Sequence, residues 1–538
     1  MQVDGMEFAS GKRPPESDSH CAAPQRGGRT LPGQTSRTLS WSESTASTPA
    51  GGNGSRSVVR ECAIGGPAAA RRAPTGKTEE EAMTVNVDVI GRIGAAGALL
   101  APGATMPRPP SEDPFYYPPS GLDGYAPGTV LRSRSIEVAL FGVVPQQVSA
   151  WQLLYRSNDL HGRAEAVVTT VLLPAPGDDG PEPVDRPLLA FQSAIDSVTD
   201  RCAPSYALRR GAWAPGSITQ LEWLLVANAL RRGWAVSIAD HGGSHGNFGA
   251  PREPGYRALD GVRAALHFTP LGLGPDTPVA AWGYSGGGMA SSWMVEMAPT
   301  YAPEINLTGA VLGAPVGDPG RVFARLNGGC YSGFPALVIA ALARSYPALA
   351  RVMDADLTDD GRRRLAMATR SAPLAVLVRM AFHSIDEHLS RPLTEVLAEP
   401  GMQAMLDDLR LGDSTPACPL LVVQPVHDQV IHADGVDDQV ARYRRGGASV
   451  TYIRDRLSEH FSLLPLATPL ALDWLADRIA GLPVPEQEET RTVWSVAAAP
   501  ARWRGLLDMA TTAARIVLGQ PLRQESEPPV PAVPTLAA

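Results

Sequence analysis

The chain has 538 residues and a formal net charge of -8, which is enough length for one large α/β domain with insertions or for two or three domains. The acidic balance and the lack of a sustained basic stripe argue against a nucleic-acid-binding protein, and no run of about 18 apolar residues predicts a transmembrane helix. Five scattered cysteines have no metal-ligand spacing, and their odd number leaves at least one thiol outside intrachain pairs.

Residues 1–112 are predicted to be a low-complexity, disordered extension. Residues 1–82 are rich in Ser, Gly, Pro, Arg and Thr and have no hydrophobic periodicity. After Met83, the mildly apolar stretch "IGAAGALLAPGATM" fits either a weak secretory segment, if translation starts at that methionine, or a flexible linker. No convincing signal peptide is found, so the residues alone leave the localisation open.

From residue 113 onward, strands and helices are predicted to alternate. The stretches "SAWQLLYRSND" and "AEAVVTTVLLP" predict an antiparallel pair, and "RPLLAFQSAI" predicts a buried strand. Next come the helix "LEWLLVANALRRG", the strand "WAVSIAD", the helix "YRALDGVRAALHF", the strand "PVAAWGYS" and a helix that begins near Gly286. In the first of these helices, the apolar face is predicted to include Leu221 and Leu224. This order of elements predicts a mainly parallel, doubly wound α/β sheet.

A helical insertion is predicted between the last strands of the sheet. The strand "LTGAVLGAPVGD" is followed only after roughly 100 residues by the strand "CPLLVVQPVHD". The intervening residues, 319–415, are helical and hydrophobic in pattern, which predicts a cap over the carboxyl edge of the sheet, where α/β folds hold their sites. We therefore expect a core formed by residues 113–318 and 416–485, and an amphipathic helix and tail in residues 486–538.

The stretch "VAAWGYSGGGMASS" places Ser285 at the end of a predicted strand, with Gly283 two residues before it and Gly287 two residues after it. This is the pattern of a nucleophile elbow, a tight strand-to-helix turn in which a Cβ at either glycine would collide with neighbouring backbone. With 53 glycines in the chain, the pattern is expected by chance roughly 0.3 to 0.5 times. The pattern alone therefore does not establish the role of Ser285, which depends on whether a base and an acid follow it in the sequence.

Two later residues complete a candidate catalytic triad. A serine needs a base to take its proton and an acid to orient that base, and in α/β-hydrolases these follow in the order Ser, Asp or Glu, His. Asp428 comes directly after an apolar strand, and His460 follows one more short strand. Taken alone, Asp428 fits a strand-end turn or a helix N-cap, and His460 fits a surface histidine. Their order after Ser285 predicts a triad.

The chain resembles the secretory triacylglycerol lipase family, a group of α/β-hydrolases of the Candida lipase A type with a helical cap. The resemblance lies in collinear stretches between about Asp113 and Leu482: "DPFYYPPSGLDGYAPGTVLRSR", "CAPSYAL", "GWAVSIADHGG", "LDGVRAAL", "GYSGGG", "YAPEINLTGAVLGAPV", "LNGG" and "SEH". It implies an α/β-hydrolase fold, a lipid or ester substrate, no cofactor, and a secreted or cell-envelope location. The oligomeric state stays open.

The resemblance also implies roles for individual residues. Ser285 would be the nucleophile, Asp428 the acid and His460 the base of a serine ester hydrolase that acts through an acyl-enzyme in lipid catabolism. The oxyanion hole would use the backbone N–H of Gly286 and Asp196, which lies six residues before the cysteine of "CAPSY". An acyltransferase or a small-ester esterase would use the same triad, and a non-catalytic binding protein with this fold is a further alternative.

Other features are assigned structural roles. The stretch "DHGGSHG" resembles the oxyanion loops of esterases but follows a later strand, so Asp240 and His241 are expected to be structural. In "HSIDEH", a five-residue spacing is poor for two ligands on one helix face, so His383 and His388 do not predict a metal site. By the family pattern, Cys202 pairs with a cap cysteine such as Cys330 or stays reduced.

The C-terminal stretch "ARWRGLLDMATTAARIVLG" predicts an amphipathic helix. Trp503, Leu506, Leu507, Ala510 and Val517 fall on one face of it. We expect the helix to pack on the body of the protein. As alternatives, it covers an acyl pocket, or it or the cap touches a lipid surface.

Overall fold

The computed structural model describes residues 106–176, 185–484 and 490–524. The predicted disordered extension up to residue 105 and the tail after residue 524 lie outside the described residues. Of the strands in the described part, ten belong to one sheet. The strands are β1 (Val130–Ser135), β2 (Ala139–Leu140), β3 (Val144–Pro145), β4 (Ser149–Asn158), β5 (Ala164–Leu173), β6 (Leu188–Gln192), β7 (Ala235–Ala239), β8 (Val279–Tyr284), β9 (Leu307–Gly313), β10 (Leu420–Pro425), β11 (Val450–Asp455) and β12 (Thr490–Val493).

The large sheet has the strand order β1-β4-β5-β7-β6-β8-β9-β10-β11-β12. The pairs β1–β4, β4–β5 and β5–β7 are antiparallel. Every later pair, from β7–β6 to β11–β12, is parallel. Both the predicted antiparallel pair and the mainly parallel sheet are therefore confirmed.

Helices cover both faces of the sheet. Strand residues alternate between two apolar cores: Val279 and Ala281 of β8 face one core, and Ala280 and Trp282 face the other. Strands buried on both faces read as continuous apolar runs, which is the pattern in the sequence. The helices are α1 (Pro204–Ala207), α2 (Thr219–Arg231), α3 (Glu253–Leu266), α4 (Gly286–Tyr301), α5 (Pro319–Leu326), α6 (Gly333–Leu342), α7 (Pro347–Ala355), α8 (Asp359–Ala368), α9 (Pro373–Met380), α10 (Leu393–Leu397), α11 (Pro400–Leu409), α12 (Ala433–Arg445), α13 (His460–Ile479) and α14 (Pro500–Val517).

Helices α5 to α11 lie between β9 and β10 and form the predicted helical insertion. This cap has an apolar core of its own, in which Leu337 and Val376 are fully buried. The prediction against a metal site took the spacing of His383 and His388 to be that of an α-helix. In the structure this segment is not an α-helix, because a 3-10 helix spans Ile385–His388. Within the described residues no single helix is long and apolar enough to cross a membrane, although α6 and α7, bent by 112° at their junction, meet the length and composition criteria as a pair.

The C-terminal helix α14 packs on α2 and α13, but not through the predicted face. The fully buried side chains are Thr512 and Ile516, whereas Trp503, Leu507 and Val517 are 60%, 66% and 57% exposed. Polar contacts set this orientation, because the Arg231 guanidinium donates to Thr512 and to a carbonyl oxygen of α14. The predicted apolar face therefore points to solvent.

Candidate active site

Ser285 lies in a sharp turn between β8 and α4. Its φ of 55° and ψ of -120° are unusual for a residue other than glycine. A Cβ on Gly283 would lie 2.1 Å from the Gly287 carbonyl oxygen, and a Cβ on Gly287 would lie 2.0 Å from the Gln192 carbonyl oxygen. Both flanking glycines are therefore required by close backbone approach, which is the physical reason for the G-x-S-x-G pattern.

His460 is the first residue of α13, directly after the loop that follows β11. Its Nε2 atom lies 2.9 Å from Ser285 Oγ, and its Nδ1 atom lies 2.8 Å from Asp428 Oδ2. The tautomer with the proton on Nδ1 satisfies both contacts, because Nδ1–H donates to the carboxylate and Nε2 accepts from the serine hydroxyl. Glu459 caps the helix, and the Tyr284 hydroxyl donates to the His460 carbonyl oxygen, so the backbone at His460 is fixed by both neighbours.

Asp428 lies shortly after β10 and is buried. Its Oδ1 atom accepts hydrogen bonds from the backbone N–H groups of Val430 and Ile431, at 2.8 and 2.7 Å. Its Oδ2 atom accepts from His460 and, at 3.2 Å, from Gln424 Nε2. These four donors hold the carboxylate against the imidazole, so the structure brings together all three residues of the predicted triad.

Asp196 lies on the loop after β6, against the start of α4. It has a φ of 43° and a buried side chain, and its Oδ1 atom has no hydrogen-bond partner among the described residues. A Cβ on Gly286 would lie 2.0 Å from that oxygen, so any other residue there would displace the Asp196 carboxyl. Burial raises the pKa of Asp196 to about 7, although a positive charge on His460 would lower it. The Gly286 N–H is in the first turn of α4, where amides have no acceptor within the helix.

The loop that carries Asp196 is anchored by two buried side chains. Glu222 on α2 accepts hydrogen bonds from the Ser193 hydroxyl and from the Ala194 N–H, the latter at 3.1 Å. His241 Nε2 lies 2.7 Å from the Ser193 carbonyl oxygen. Burial lowers the pKa of His241 to about 4, so the neutral ring donates Nε2–H to that oxygen. The "DHGGSHG" segment thus contacts the loop through His241. No pattern in the sequence indicates the contribution of Glu222.

Residues around the "CAPSY" segment have structural contacts. Asp240 accepts hydrogen bonds from the Ser205 N–H and hydroxyl groups, which ties α1 to the end of β7. Asp200, the neighbour of the candidate oxyanion residue, accepts from the Ser111 N–H. Cys202 forms no disulfide with the other described cysteines and is buried, and burial raises the pKa of its thiol to about 11. Of the two states considered for Cys202, the structure has the reduced one.

An apolar cavity of about 580 Å³ opens beside Ser285, and Asp196 and Gly286 also line it. A second cavity of about 860 Å³ lies in the cap. The two share Val338 and two further lining residues, Pro319 and Phe323. The apolar space in the cap therefore adjoins the apolar space at the serine.

Comparisons with known proteins agree with this architecture. The model of the secretory lipase family matches residues 208–487. Lipase A from Arthroderma benhamiae is 34% identical over 398 residues, which cover 72% of this chain and 83% of that protein. A protein from Mycobacterium tuberculosis, named as a probable inactive lipase, is 48% identical over 416 residues, 77% of this chain and 92% of that one.

Solved structures show the same fold. Candida antarctica lipase A superposes with a TM-score of 0.68 and 25% identity, over 79% of this chain and all of that chain (100%). The α/β-hydrolase fold is thereby confirmed, with its helices over a mainly parallel sheet. By family, relatives and fold, the chain belongs to the secretory lipase family and is a hydrolase of the lipase and esterase type.

Proposed function

We propose that the protein is a serine carboxylic-ester hydrolase of the triacylglycerol lipase type, which acts through an acyl-enzyme in lipid catabolism. One observation carries this proposal: a continuous hydrogen-bond chain from Asp428 through His460 to Ser285, beside an apolar cavity. A binding protein without catalysis has no need of a strained serine that donates to a buried, carboxylate-held imidazole.

In the first half of the reaction, Ser285 Oγ attacks the ester carbonyl carbon while His460 Nε2 takes the hydroxyl proton. Asp428 stabilises the imidazolium that forms. The carbonyl oxygen becomes an oxyanion, to which the Gly286 N–H and the protonated Asp196 carboxyl donate hydrogen bonds. Collapse of the intermediate breaks the bond to the alcohol, which leaves with the proton from His460.

In the second half, water attacks the acyl-enzyme and His460 takes one of its protons. The fatty acid is released when Ser285 regains its hydrogen. The acyl chain lies in the cavity beside Ser285 and extends past Val338 into the cap. Because both cavities are lined almost wholly by apolar side chains, long chains gain more binding free energy than short ones.

A lipid surface is the partner that best fits the exposed face of α14. An exposed apolar stripe next to cationic side chains is typical of helices that bind at lipid interfaces. The exposed apolar side chains are Trp503, Leu507, Val517 and Leu518, and exposed Arg504 and Arg515 lie beside them. We expect Leu507→Lys to reduce binding to an emulsified triacylglycerol but not hydrolysis of a soluble short-chain ester, with Gln520→Lys as the charge-matched control. Equal binding by both variants contradicts this role.

The central experiment measures hydrolysis of p-nitrophenyl esters from acetate to palmitate by the natural chain and by Ser285→Ala. We expect a long-chain preference that is lost in the variant, together with labelling of the natural chain alone by a fluorophosphonate probe. No hydrolysis at any chain length and no labelling would overturn the proposal in favour of a non-catalytic protein, in line with the name of the mycobacterial relative. Full activity of Ser285→Ala would exclude this serine as nucleophile.

A further inference from the structure

Three potential metal ligands meet in the cap, in the segment that joins α9 to α10. One ring nitrogen each of His383 and His388 and one carboxylate oxygen of Glu387 lie within 4.8 Å of one another. The 3-10 helix Ile385–His388 brings the three side chains together, because its turn is tighter than that of an α-helix. The Asn327 side chain accepts from the Ile385 N–H at 2.7 Å and fixes the start of the turn.

His388 has the environment of a metal-binding histidine. Its side chain is 7% exposed, its Nδ1 atom lies 3.5 Å from Asp360 Oδ2, and its buried Nε2 atom has no hydrogen-bond partner among the residues that the structure describes. A buried ring nitrogen without a partner is costly in a folded protein. Histidine ligands commonly face a carboxylate through one nitrogen and bind the metal through the other.

We propose that His383, Glu387 and His388 form a Zn²⁺ site, with Nε2 of His388 as a ligand, Asp360 orienting its ring and water in the fourth position. Two imidazoles and one carboxylate are a donor set that zinc adopts when it keeps an open position. Calcium and magnesium prefer sites made wholly of oxygen ligands. The charges around the site are mixed. Glu387 and Asp360 supply negative charge, and Arg363 and Arg364, which bind Asp360, supply positive charge.

Zinc at this position would join two separate segments of the cap. Asp360 and the adjacent Gly361 belong to α8, and His388 packs on Gly361, where an added Cβ would lie 2.9 Å from the His388 Cβ atom. Gly361 and His388 both line the cavity of about 860 Å³ in the cap. The ion would therefore stiffen the wall of this cavity. The site itself does not depend on the proposed ester hydrolysis.

The test measures zinc binding by the full chain after treatment with a chelator. Protein is dialysed against a series of Zn²⁺ concentrations, and bound zinc is counted by mass spectrometry. We expect about one zinc ion per chain, and at least about tenfold weaker binding by Glu387→Gln and His388→Ala. The matched controls are Glu395→Gln and His161→Ala, which change an exposed carboxylate and an exposed histidine outside the cluster. Co²⁺ in place of Zn²⁺ should give the visible absorption of a four-coordinate ion in the natural chain.

Two results would overturn the proposal: no stoichiometric zinc binding by the natural chain, or equal loss in the cluster variants and the controls. If His388→Ala fails to fold, Glu387→Gln decides the matter, because the Glu387 side chain is 56% exposed and its replacement leaves the cap core intact. Undiminished binding by folded Glu387→Gln counts against the site.

Discussion

Replacing Asp196 with asparagine should change the pH profile of ester hydrolysis in a defined direction. Burial raises the pKa of the Asp196 carboxyl to about 7, so the group is neutral at lower pH and ionised at higher pH. Only the neutral carboxyl can donate a hydrogen bond to an oxyanion. The neutral fraction is about one half at pH 7 and about one tenth at pH 8, so kcat/KM of the natural enzyme should fall about fivefold between these values.

Asparagine at this position carries an uncharged donor whose protonation does not change. The ratio of kcat/KM for Asp196→Asn to that of the natural enzyme should therefore rise about fivefold between pH 7 and pH 8. The assay follows p-nitrophenol at its isosbestic wavelength, with Asp200→Asn as the control. A ratio that stays constant from pH 7 to pH 9, with both proteins folded, refutes the donor role of the Asp196 carboxyl.

Three further substitutions test separate parts of the site. Asp428→Asn should lower kcat about 10⁴-fold, because an amide cannot stabilise the imidazolium; a loss below about tenfold contradicts this. Glu222→Gln removes one of the two carboxylate oxygens that accept hydrogen bonds from the loop of Asp196, so kcat should fall about tenfold at unchanged KM. Equal effects of the buried control Glu296→Gln would show a merely structural cause. Val338→Trp should block the passage between the cavities, which lowers palmitate hydrolysis but not butyrate hydrolysis; parallel losses on both esters argue against an acyl path there.

The sequence predicts the sheet, and it picks out three residues that the structure brings together as a candidate triad, because both depend on local patterns. Apolar runs of strand length mark strands that are buried on both faces, and the triad residues follow three of them in order. The faces of helices are harder to predict, because tertiary contacts decide them. On α2, Leu221 was expected in the apolar face and is 50% exposed, whereas Glu222 is fully buried. Glu222 is buried because it binds the loop at Ser193, a partner that the periodicity of α2 cannot reveal.

The same dependence on tertiary contacts explains the strain at the site. Ser285 and Asp196 both have positive φ without being glycine, and such a conformation costs on the order of 1–3 kcal/mol for each residue. Glycine would relieve the strain but would remove the side chain that each role requires. Both loops leave adjacent parallel strands, which pair in register at Gln192 and Gly283, so the strained residues emerge at one edge of the sheet. The relative position of Ser285 and Asp196, the proposed nucleophile and oxyanion donor, is thus set by sheet register and by the anchor at Glu222, which is why a change on α2 is expected to alter kcat.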